Sequence, residues 1–449
     1  MVDAAPRLHA LAEQLLGSSL PVRVRAWDGS QAGPPDAPIL VVRNRRGLRR
    51  LLFKPGELGL ARAWVAGDLE IEGDLYTALD LLSGLVWERG EDARTLAQAL
   101  RDPQFREAAR GLLRLAGPPL PPAPPREETR RTGHLHTRRS DRRAISHHYD
   151  VGNDFYEIVL GPSMVYSCAY WPDLDAASDT TSDAASDMTA GAASDAALET
   201  AQRDKLELVC RKLALTPGQR LLDVGCGWGS LAIHAAREHG VSVLGITLSH
   251  EQAAYARKRV ADAGLTDRIE IRVQDYRDVT DGPFDAISSI GMAEHVGAER
   301  YLEYAAALFA LLEPGGRLLN HQIARRPERD ETAYHVDEFI DAYVFPDGEL
   351  APLGSTVTQL ERAGFEVRDV ESIREHYALT LRRWVARLEA GWAHAVRLTS
   401  PGRARVWRLY MAASALAFER NSIGVNQVLA VRTPDSGASG MPLRARTWN

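Results

Sequence analysis

The chain of 449 residues contains only three cysteines, at positions 168, 210 and 226, and no Cys-x-x-Cys pair. Cysteine usage this sparse excludes a disulfide framework, predicts no metal site and indicates a reducing compartment. Residues 1–20 lack the positive segment and apolar core of a secretory signal. No apolar run reaches the ~18 residues that a membrane-spanning helix needs. We therefore expect a cytoplasmic protein.

The chain also lacks an excess of positive charge, because its formal net charge is −6. A negative chain is a poor partner for nucleic acid, and we expect no binding of nucleic acid. The charge is unevenly distributed, since seven arginines stand between positions 126 and 143. This run is interpreted either as a solvated linker or as a contact with an anionic membrane surface. With 45% hydrophobic residues, the chain can bury a large core and is long enough for two domains.

Low-complexity segments divide the chain. The proline-rich segment 117–125 cannot continue a helix, so it marks a boundary between an N-terminal α+β domain at residues 1–116 and a domain at residues 144–449. Residues 117–143 are then a Pro- and Arg-rich linker. The first domain is associated with lipid or membrane in this interpretation. Within it, residues 41–53 are expected to form a hairpin and residues 76–86 an amphipathic helix.

An octad repeat lies inside the second domain. Segments of the form x-Ala-Ala-Ser-Asp begin at positions 175, 183 and 191 and contain few large apolar side chains. Such a sequence cannot offset its ordering entropy, which predicts a disordered insertion at about residues 174–197, before a helix at residues 201–212.

From position 220 onward, strand-like and helix-like segments alternate. Alternation of this kind predicts parallel strands joined by crossover helices, in a doubly wound α/β sheet. Ligands bind such sheets beyond the carboxyl ends of the strands. The polar and glycine-rich segments near positions 225, 247, 275, 291–294 and 321 all fall at predicted strand ends.

A glycine-dense turn follows the first of these strands. Asp223 precedes Gly225, Gly227 and Gly229, which give the pattern Asp-x-Gly-x-Gly-x-Gly before a helix at residues 230–239. Glycines allow tight bends and close approach of a ligand to the backbone, and the helix start offers unpaired N–H groups. The spacing differs from the dinucleotide fingerprint and from the phosphate-binding loop. It resembles the S-adenosylmethionine site of Rossmann-like methyltransferases.

Six further motifs narrow this resemblance. They are HYDVGNDFY at 148–156, MVYSCAYW at 164–171, GITLSHEQ at 245–252, QDYRD at 274–278, EHVG at 294–297 and YVFPDG at 343–348. In this order and spacing, they resemble the cyclopropane-fatty-acyl-phospholipid synthase family, which includes the mycolic-acid cyclopropane synthases. The resemblance runs from about residue 145 to about residue 431. It implies the class I methyltransferase fold, with S-adenosylmethionine as methyl donor.

The resemblance also implies a set of donor-binding residues. These are Tyr166, Ser167, Asp223, Gly225, Gly227, Gly229, Thr247, Leu248, Gln252, Asp275 and Tyr276. The glycines are expected under the methionine portion, and Thr247, Leu248 and Gln252 beside the adenosine. For Asp275, a role as helix N-cap is an equal alternative to binding adenine.

Transfer to an alkene leaves a carbocation that must lose a proton. A small exchangeable base suits this step, and the resemblance implies bound bicarbonate held by Cys168, Glu294, His321, the backbone of Ile323, and Tyr377. Aromatic rings attract cations, so an aromatic wall is expected around the acyl chain. Its candidates are Tyr166, Tyr170, Trp171, Phe339, Tyr343 and Phe345.

The implied activity is methylene transfer to the cis double bond of unsaturated acyl chains in membrane phospholipids, forming a cyclopropane. One alternative is the same transfer giving a methylene- or methyl-branched chain, and another is a lipid-binding protein without turnover. A small-metabolite methyltransferase is a weaker alternative. We expect peripheral association with the inner face of the membrane, and a homodimer remains open.

Overall fold

The computed structural model describes residues 3–86, 103–118, 120–129, 151–173, 188–346 and 348–443. The chain divides into two compact units. The smaller comprises residues 1–130, 337–344 and 399–416, and the larger comprises residues 131–336, 345–398 and 417–449. The smaller unit is therefore not purely N-terminal, since two segments from the expected methyltransferase domain contribute to it.

The smaller unit contains a four-stranded sheet in the order β2-β1-β3-β4. Its strands are β1 (Arg23–Arg25), β2 (Gln31–Ala32), β3 (Ile39–Val42) and β4 (Leu69–Glu72). Its helices include α1 (Ala4–Leu16), α2 (Arg45–Phe53), α3 (Glu57–Val65), α4 (Leu75–Val86) and α5 (Pro103–Ala116), and a π-helical turn spans Ile340–Val344. The helix expected at residues 76–86 is confirmed by α4.

The hairpin expected at residues 41–53 is wrong, because strand β3 runs directly into helix α2. The Asn44 side chain accepts a hydrogen bond from the Arg46 N–H and so caps the helix. Leu48 is buried by the helical packing. The Arg46–Gly47 pair, which resembles a turn signal, lies in the first turn of this helix.

The first part of the expected linker belongs to the smaller unit. Glu128 accepts hydrogen bonds from Nε and Nη2 of Arg62 at 2.7 and 2.6 Å, and another from the Tyr343 hydroxyl at 2.9 Å. Arg50 Nη1 donates to the carbonyl of Ala123 at 2.7 Å. Residues 120–129 are thus tied down by buried and half-buried polar contacts. The remainder of the expected linker, residues 130–143, lies outside the described residues.

The larger unit is built on a seven-stranded sheet in the order β10-β11-β9-β8-β5-β6-β7. Its strands are β5 (Arg220–Val224), β6 (Ser242–Thr247), β7 (Ile269–Val273), β8 (Phe284–Ile290), β9 (Leu312–Arg325), β10 (Glu366–Ser372) and β11 (Ile423–Val431). Strands β5 to β9 pair in parallel, and β11 is antiparallel to both of its neighbours. The predicted doubly wound α/β fold is confirmed.

Helices flank this sheet. They are α6 (Asn153–Leu160), α7 (Met188–Leu213), α8 (Ser230–His239), α9 (His250–Asp262), α10 (Tyr301–Leu311), α11 (Leu353–Arg362), α12 (Arg374–Ala390) and α13 (Trp392–Leu398); α14 (Pro401–Glu419) begins in the smaller unit. Neighbouring strand residues fall into different apolar clusters, Leu221 into one and Leu222 into the other. Since successive side chains of a strand point to opposite faces, the sheet is buried on both sides.

Helix α7 corrects the interpretation of the octad repeat. It begins at Met188, so the third repeat is helical, whereas residues 174–187 lie outside the described residues. Alanine is the strongest helix former, and the fully buried Leu198 and Ala201 anchor the following turns. Asp195 lies 3.4 Å from Nη1 of Arg387, which adds an ion pair. The third repeat therefore forms a helix despite its low apolar content, because it extends a helix whose later turns are buried.

None of the described helices combines the length and the apolar composition that crossing a bilayer requires.

Candidate active site

A cavity lies at the carboxyl ends of the central parallel strands. It is lined by residues that follow β5, β6, β7 and β8, together with residues 164–167 and the α7 residues Lys205 and Leu206. Strands β5 and β8 are neighbours where the strand order reverses, the position at which open α/β sheets bind ligands. The cavity encloses about 1200 Å³, part of it open to solvent. Its wall combines apolar side chains with a few polar groups, as is typical of sites for small molecules.

The glycine loop forms one wall of this cavity. Gly225 and Gly227 line it with φ of 79° and 53°, a left-handed conformation that favours glycine. Gly229 is not among the lining residues, and its role in donor binding stays a prediction. It precedes α8 with φ of 79°, and a Cβ there would lie 3.2 Å from the Cβ of Ala256. Its lack of a side chain allows the start of α8 to pack closely on α9.

Asp223 places a carboxylate in the cavity wall. The Ser288 hydroxyl donates to Oδ1 at 2.8 Å, whereas the buried Oδ2 has no hydrogen-bond partner. Burial raises the pKa of Asp223 to about 6, and the nearby Lys205 opposes this shift. A buried carboxylate oxygen without a partner is suited to a cationic ligand, because the ligand would supply the missing counter-charge.

Thr247 and Gln252 are brought together at the end of β6. The Thr247 hydroxyl donates to Oε1 of Gln252 at 2.8 Å, and both residues line the cavity beside Leu248. Ser249 caps α9 by accepting from the Gln252 N–H. Helix α9 thereby fixes the glutamine side chain at the cavity wall, where an amide can recognise polar groups of a ligand.

Asp275 and Tyr276 also line the cavity. The Asp275 side chain accepts from the Arg277 N–H at 3.0 Å and pairs with the Arg277 guanidinium, which gives it the N-cap role weighed as an alternative. Tyr276 packs edge-on against Tyr304, with ring centroids 5.4 Å apart.

On the opposite wall, Tyr166 and Ser167 line the cavity together with Lys205, which the sequence interpretation missed. Nζ of Lys205 donates to the Ser167 hydroxyl at 2.8 Å. Burial lowers the pKa of Lys205 to about 8, and the acidic groups of Cys168 and Asp223 oppose the shift. The sequence did indicate that position 205 is buried. Leu198, Ala201 and Leu208 recur at helical spacing and place it on the buried face of the helix.

Glu294 and Ile323 of the predicted catalytic set are in contact. The Ile323 N–H donates to Oε1 of Glu294 at 2.8 Å, whereas the buried Oε2 has no hydrogen-bond partner. Burial raises the pKa of the Glu294 carboxyl to about 7. At neutral pH, this group is therefore poised between an acceptor and a donor.

His321 lies two residues before Ile323 on strand β9. The amide nitrogen of Gln427 approaches its Nδ1 at 3.3 Å. With the Gln427 amide in this orientation, its nitrogen donates to Nδ1, which assigns the ring proton to Nε2; that atom is buried without a partner. Burial holds the pKa of His321 well below its usual range, with further effect from Lys205 and Lys212. A neutral imidazole with a free N–H is suited to an oxyanion.

Cys168 and Tyr377 lie near the start of α12. The Cys168 thiol contacts the carbonyls of Ala169 and Ile373 at 3.2 and 3.6 Å, and burial raises its pKa well above the usual value. Tyr377 packs on Phe418, with ring centroids 4.7 Å apart. Neither residue lines the cavity at the strand ends. The thiol has the surroundings of a buried neutral group, not of a nucleophile.

The six aromatic candidates occupy different places. Tyr166 lines the cavity at the strand ends, whereas Phe339 and Tyr343 pack against each other in the smaller unit. The Phe345 ring lies 5.5 Å from that of His295. Tyr170 stacks on His376 at 4.8 Å, and Trp171 Nε1 donates to Thr380. A common aromatic wall remains a prediction.

Further cavity-lining residues were not in the predicted set. They include Met164, Trp228, Met292, His295 and Arg300. Met292 would be 3.3 Å from a Cβ added at Gly225, so it presses directly on the glycine loop. Its position just after β8 is one where ligands bind parallel sheets, although a methionine by itself does not indicate a binding residue.

The sheet order, the glycine loop and the cavity define a class I S-adenosylmethionine-dependent methyltransferase. Residues 136–428 match the family model described as mycolic acid cyclopropane synthetase. The chain belongs to this family of cyclopropane synthase-type methyltransferases.

Relatives and solved structures agree with this assignment. The chain is 44% identical over 429 residues to a probable fatty acid methyltransferase of Mycobacterium tuberculosis, covering 94% of each chain. It is 38% identical over 290 residues to the cyclopropane-fatty-acyl-phospholipid synthase of Escherichia coli, covering 65% of this chain and 68% of the relative. The mycolic acid cyclopropane synthase CmaA1, solved in complex with SAH and CTAB, is 32% identical with a TM-score of 0.56 over 65% of this chain and 98% of that one.

Proposed function

We propose that this enzyme transfers a methylene group from S-adenosylmethionine to the cis double bond of unsaturated acyl chains in membrane phospholipids, forming a cyclopropane ring. The observation that carries the proposal is the pair of buried polar atoms, Oε2 of Glu294 and Nε2 of His321, which have no hydrogen-bond partner. Both belong to the residues for which the family resemblance implies a proton-removal site.

At the donor end, the residues present fit S-adenosylmethionine. When bound, it supplies an electrophilic methyl group and its own leaving group on a sulfonium, so the protein mainly positions it. Gly225 and Gly227 admit the ligand close to the backbone. The Asp223 carboxylate would compensate its positive charge, and Gln252, held by Thr247, would offer its amide to the adenosine.

At the proton-removal end, Glu294 and His321 fit a small oxyanion such as bicarbonate. Bicarbonate, when bound, supplies a small base that takes up a proton from the methylated chain. Below about pH 7 the Glu294 carboxyl is protonated and donates, and His321 donates through Nε2, so each residue would satisfy one oxygen of the anion. The Ile323 N–H already donates to Glu294 and therefore acts by orienting that carboxyl. Cys168 and Tyr377 are proposed to complete the surroundings of the anion.

A branched product is the second candidate function. The mycobacterial relative is named a fatty acid methyltransferase without mention of a ring. Loss of a proton from the transferred methyl closes the ring directly, whereas a 1,2-hydride shift from the methylated carbon to the cationic carbon before that loss leaves a methylene branch. We favour the ring, because the Glu294 and His321 pattern matches the resemblance to cyclopropane synthases.

The phospholipid substrate and the peripheral membrane location are proposed together. An acyl chain in a bilayer is reached only by a protein that docks on the lipid surface. The arginines between positions 130 and 143 would supply attraction to anionic lipid on the inner face of the membrane.

The test uses purified enzyme, methyl-labelled S-adenosylmethionine, and vesicles of a cis-unsaturated or a matched saturated phospholipid. Label is expected in the acyl chains of the unsaturated lipid only. Gly227→Val should weaken donor binding at least tenfold, because its side chain enters the donor cavity, whereas Glu294→Gln should lose most turnover with donor binding retained. Transfer to saturated lipid, or equal loss of donor binding in both variants, would contradict the proposal.

A further inference from the structure

A cluster of potential metal ligands lies between helices α7 and α8. Cys210 on α7 and His234 and His239 on α8 each present a ligand atom, and these atoms all lie within 4.8 Å of one another. Among the residues that the structure describes, no other trio of His, Cys, Asp or Glu side chains has this geometry. Sequence spacing could not reveal the cluster, because strand β5 separates its two halves along the chain.

A carboxylate supports both imidazoles. Oε2 of Glu207 lies 3.1 Å from Nε2 of His234 and 3.0 Å from Nε2 of His239. Imidazoles that bind a metal are commonly oriented by a carboxylate that accepts their other N–H. Glu207 stands one helical turn before Cys210, so the same face of α7 provides the thiol and the carboxylate.

The dimensions suit a tetrahedral transition-metal ion. Zinc binds thiolate sulfur at about 2.3 Å and imidazole nitrogen at about 2.0–2.1 Å, which places ligand atoms about 3.3–3.6 Å apart. The ligand atoms are up to 4.8 Å apart, so on metal binding they would approach one another by about 1 Å through side-chain rotation. Cys210 is fully buried, whereas His234 and His239 keep 12% and 17% of their side-chain surface exposed. The thiol is shielded, and the histidine side gives an ion a path from solvent.

We propose that Cys210, His234 and His239 bind one divalent transition-metal ion of the zinc class, with Glu207 orienting the two histidines. Binding displaces the proton of the Cys210 thiol, since the thiolate is the ligand. The fourth position is left for water.

The site is structural and separate from the donor cavity. None of its residues lines that cavity, but Leu206 and Ser230, which do, stand four residues before Cys210 and His234 on the same helices. A bound ion thus joins α7 to α8 one turn behind the donor site. Metal binding is expected to stabilise the folded protein by mass action, independently of the proposed reaction.

The test uses the full chain after chelation and dialysis, titrated with Zn²⁺ and, as a spectroscopic probe, with Co²⁺. One equivalent should bind, a near-ultraviolet thiolate-to-cobalt charge-transfer band should appear, and Zn²⁺ should raise the melting temperature. Cys210→Ser should abolish the band and His239→Gln the stoichiometric binding. Glu207→Gln should weaken Zn²⁺ affinity by about 10- to 100-fold.

Two variants serve as controls. Cys168→Ser removes another buried thiol, and His394→Gln removes an exposed histidine; both should keep the band and the affinity. The inference is overturned by a band that survives in Cys210→Ser, or by Zn²⁺ binding in wild type no tighter than in His239→Gln. The partly exposed His239 provides a variant that can fold even if replacement of buried Cys210 prevents folding. Either result leaves the methyltransferase assignment unaffected.

Discussion

Glu294 is a residue at which burial of a carboxyl group affects the stability of the folded protein. Its carboxyl ionises near pH 4.5 in an unfolded chain and near 7 in the folded protein. Because the folded pKa is raised, the associated stability is fully present below about pH 4.5 and is lost as the pH rises through about 7. Above that pH, the folded protein must keep a negative charge buried, which costs stability.

We therefore predict that Glu294→Gln removes part of the pH dependence of stability. The 2.5-unit difference corresponds to at most about 3 kcal/mol between mildly acidic and alkaline solution. Urea unfolding of the ligand-free protein at several pH values measures this quantity. Glu299→Gln, at an exposed position nearby, is the control and should behave as wild type. An unchanged pH dependence in Glu294→Gln would contradict the assigned pKa.

Much of the cavity wall could be predicted at the residue scale. The cavity is lined by Gly225, Gly227, Thr247 and Gln252. These residues could be predicted because the sequence motifs and the ends of the predicted strands indicated the same positions. The packing role of Gly229 could not be predicted, since its constraint comes from Ala256 on another helix. Lys205 was missed because lysine is rarely buried, although the periodicity around it marked a buried face.

At the scale of elements, the alternating pattern after position 220 predicted the five parallel strands β5 to β9 of the larger sheet, whereas β10 and β11 were not predicted. Segments whose state depends on what they pack against were less predictable. The hairpin expected around Gly47 is a capped helix, and the expected disordered segment is partly helical from Met188 onward. In both places, local composition was outweighed by a helix cap or by continuity with a buried helix.

The early start of α7 has a testable consequence. Ala196 is exposed and lies well inside the helix, so Ala196→Pro should disrupt it and lower the free energy of unfolding by about 1–3 kcal/mol. The exposed change Ala196→Ser should cost well under 1 kcal/mol. Denaturant unfolding monitored by circular dichroism measures both. Equal stability of the two variants would mean that the ordered helix begins later, near position 201.

At the scale of the whole molecule, the charge distribution bears on membrane docking. The variant Arg138→Gln, Arg139→Gln, Arg142→Gln should bind anionic vesicles about 100-fold more weakly and with a shallower salt dependence, at about 1 kcal/mol per arginine. Vesicle sedimentation at several salt concentrations measures the effect. A control with the same charge loss at the exposed Arg237, Arg362 and Arg420 should bind as wild type. Equal weakening in both would indicate attraction by overall charge instead of by this segment.

The central claim concerns the product, because the fold and the family establish methyl transfer but a ring and a methylene branch have the same mass. Proton NMR of phospholipid purified after reaction with the enzyme distinguishes them directly. If the ring forms, we expect high-field cyclopropane methylene signals that grow as the olefinic signals of the substrate decline. Olefinic methylene signals, without any high-field signal, would contradict ring formation and establish the branched product instead.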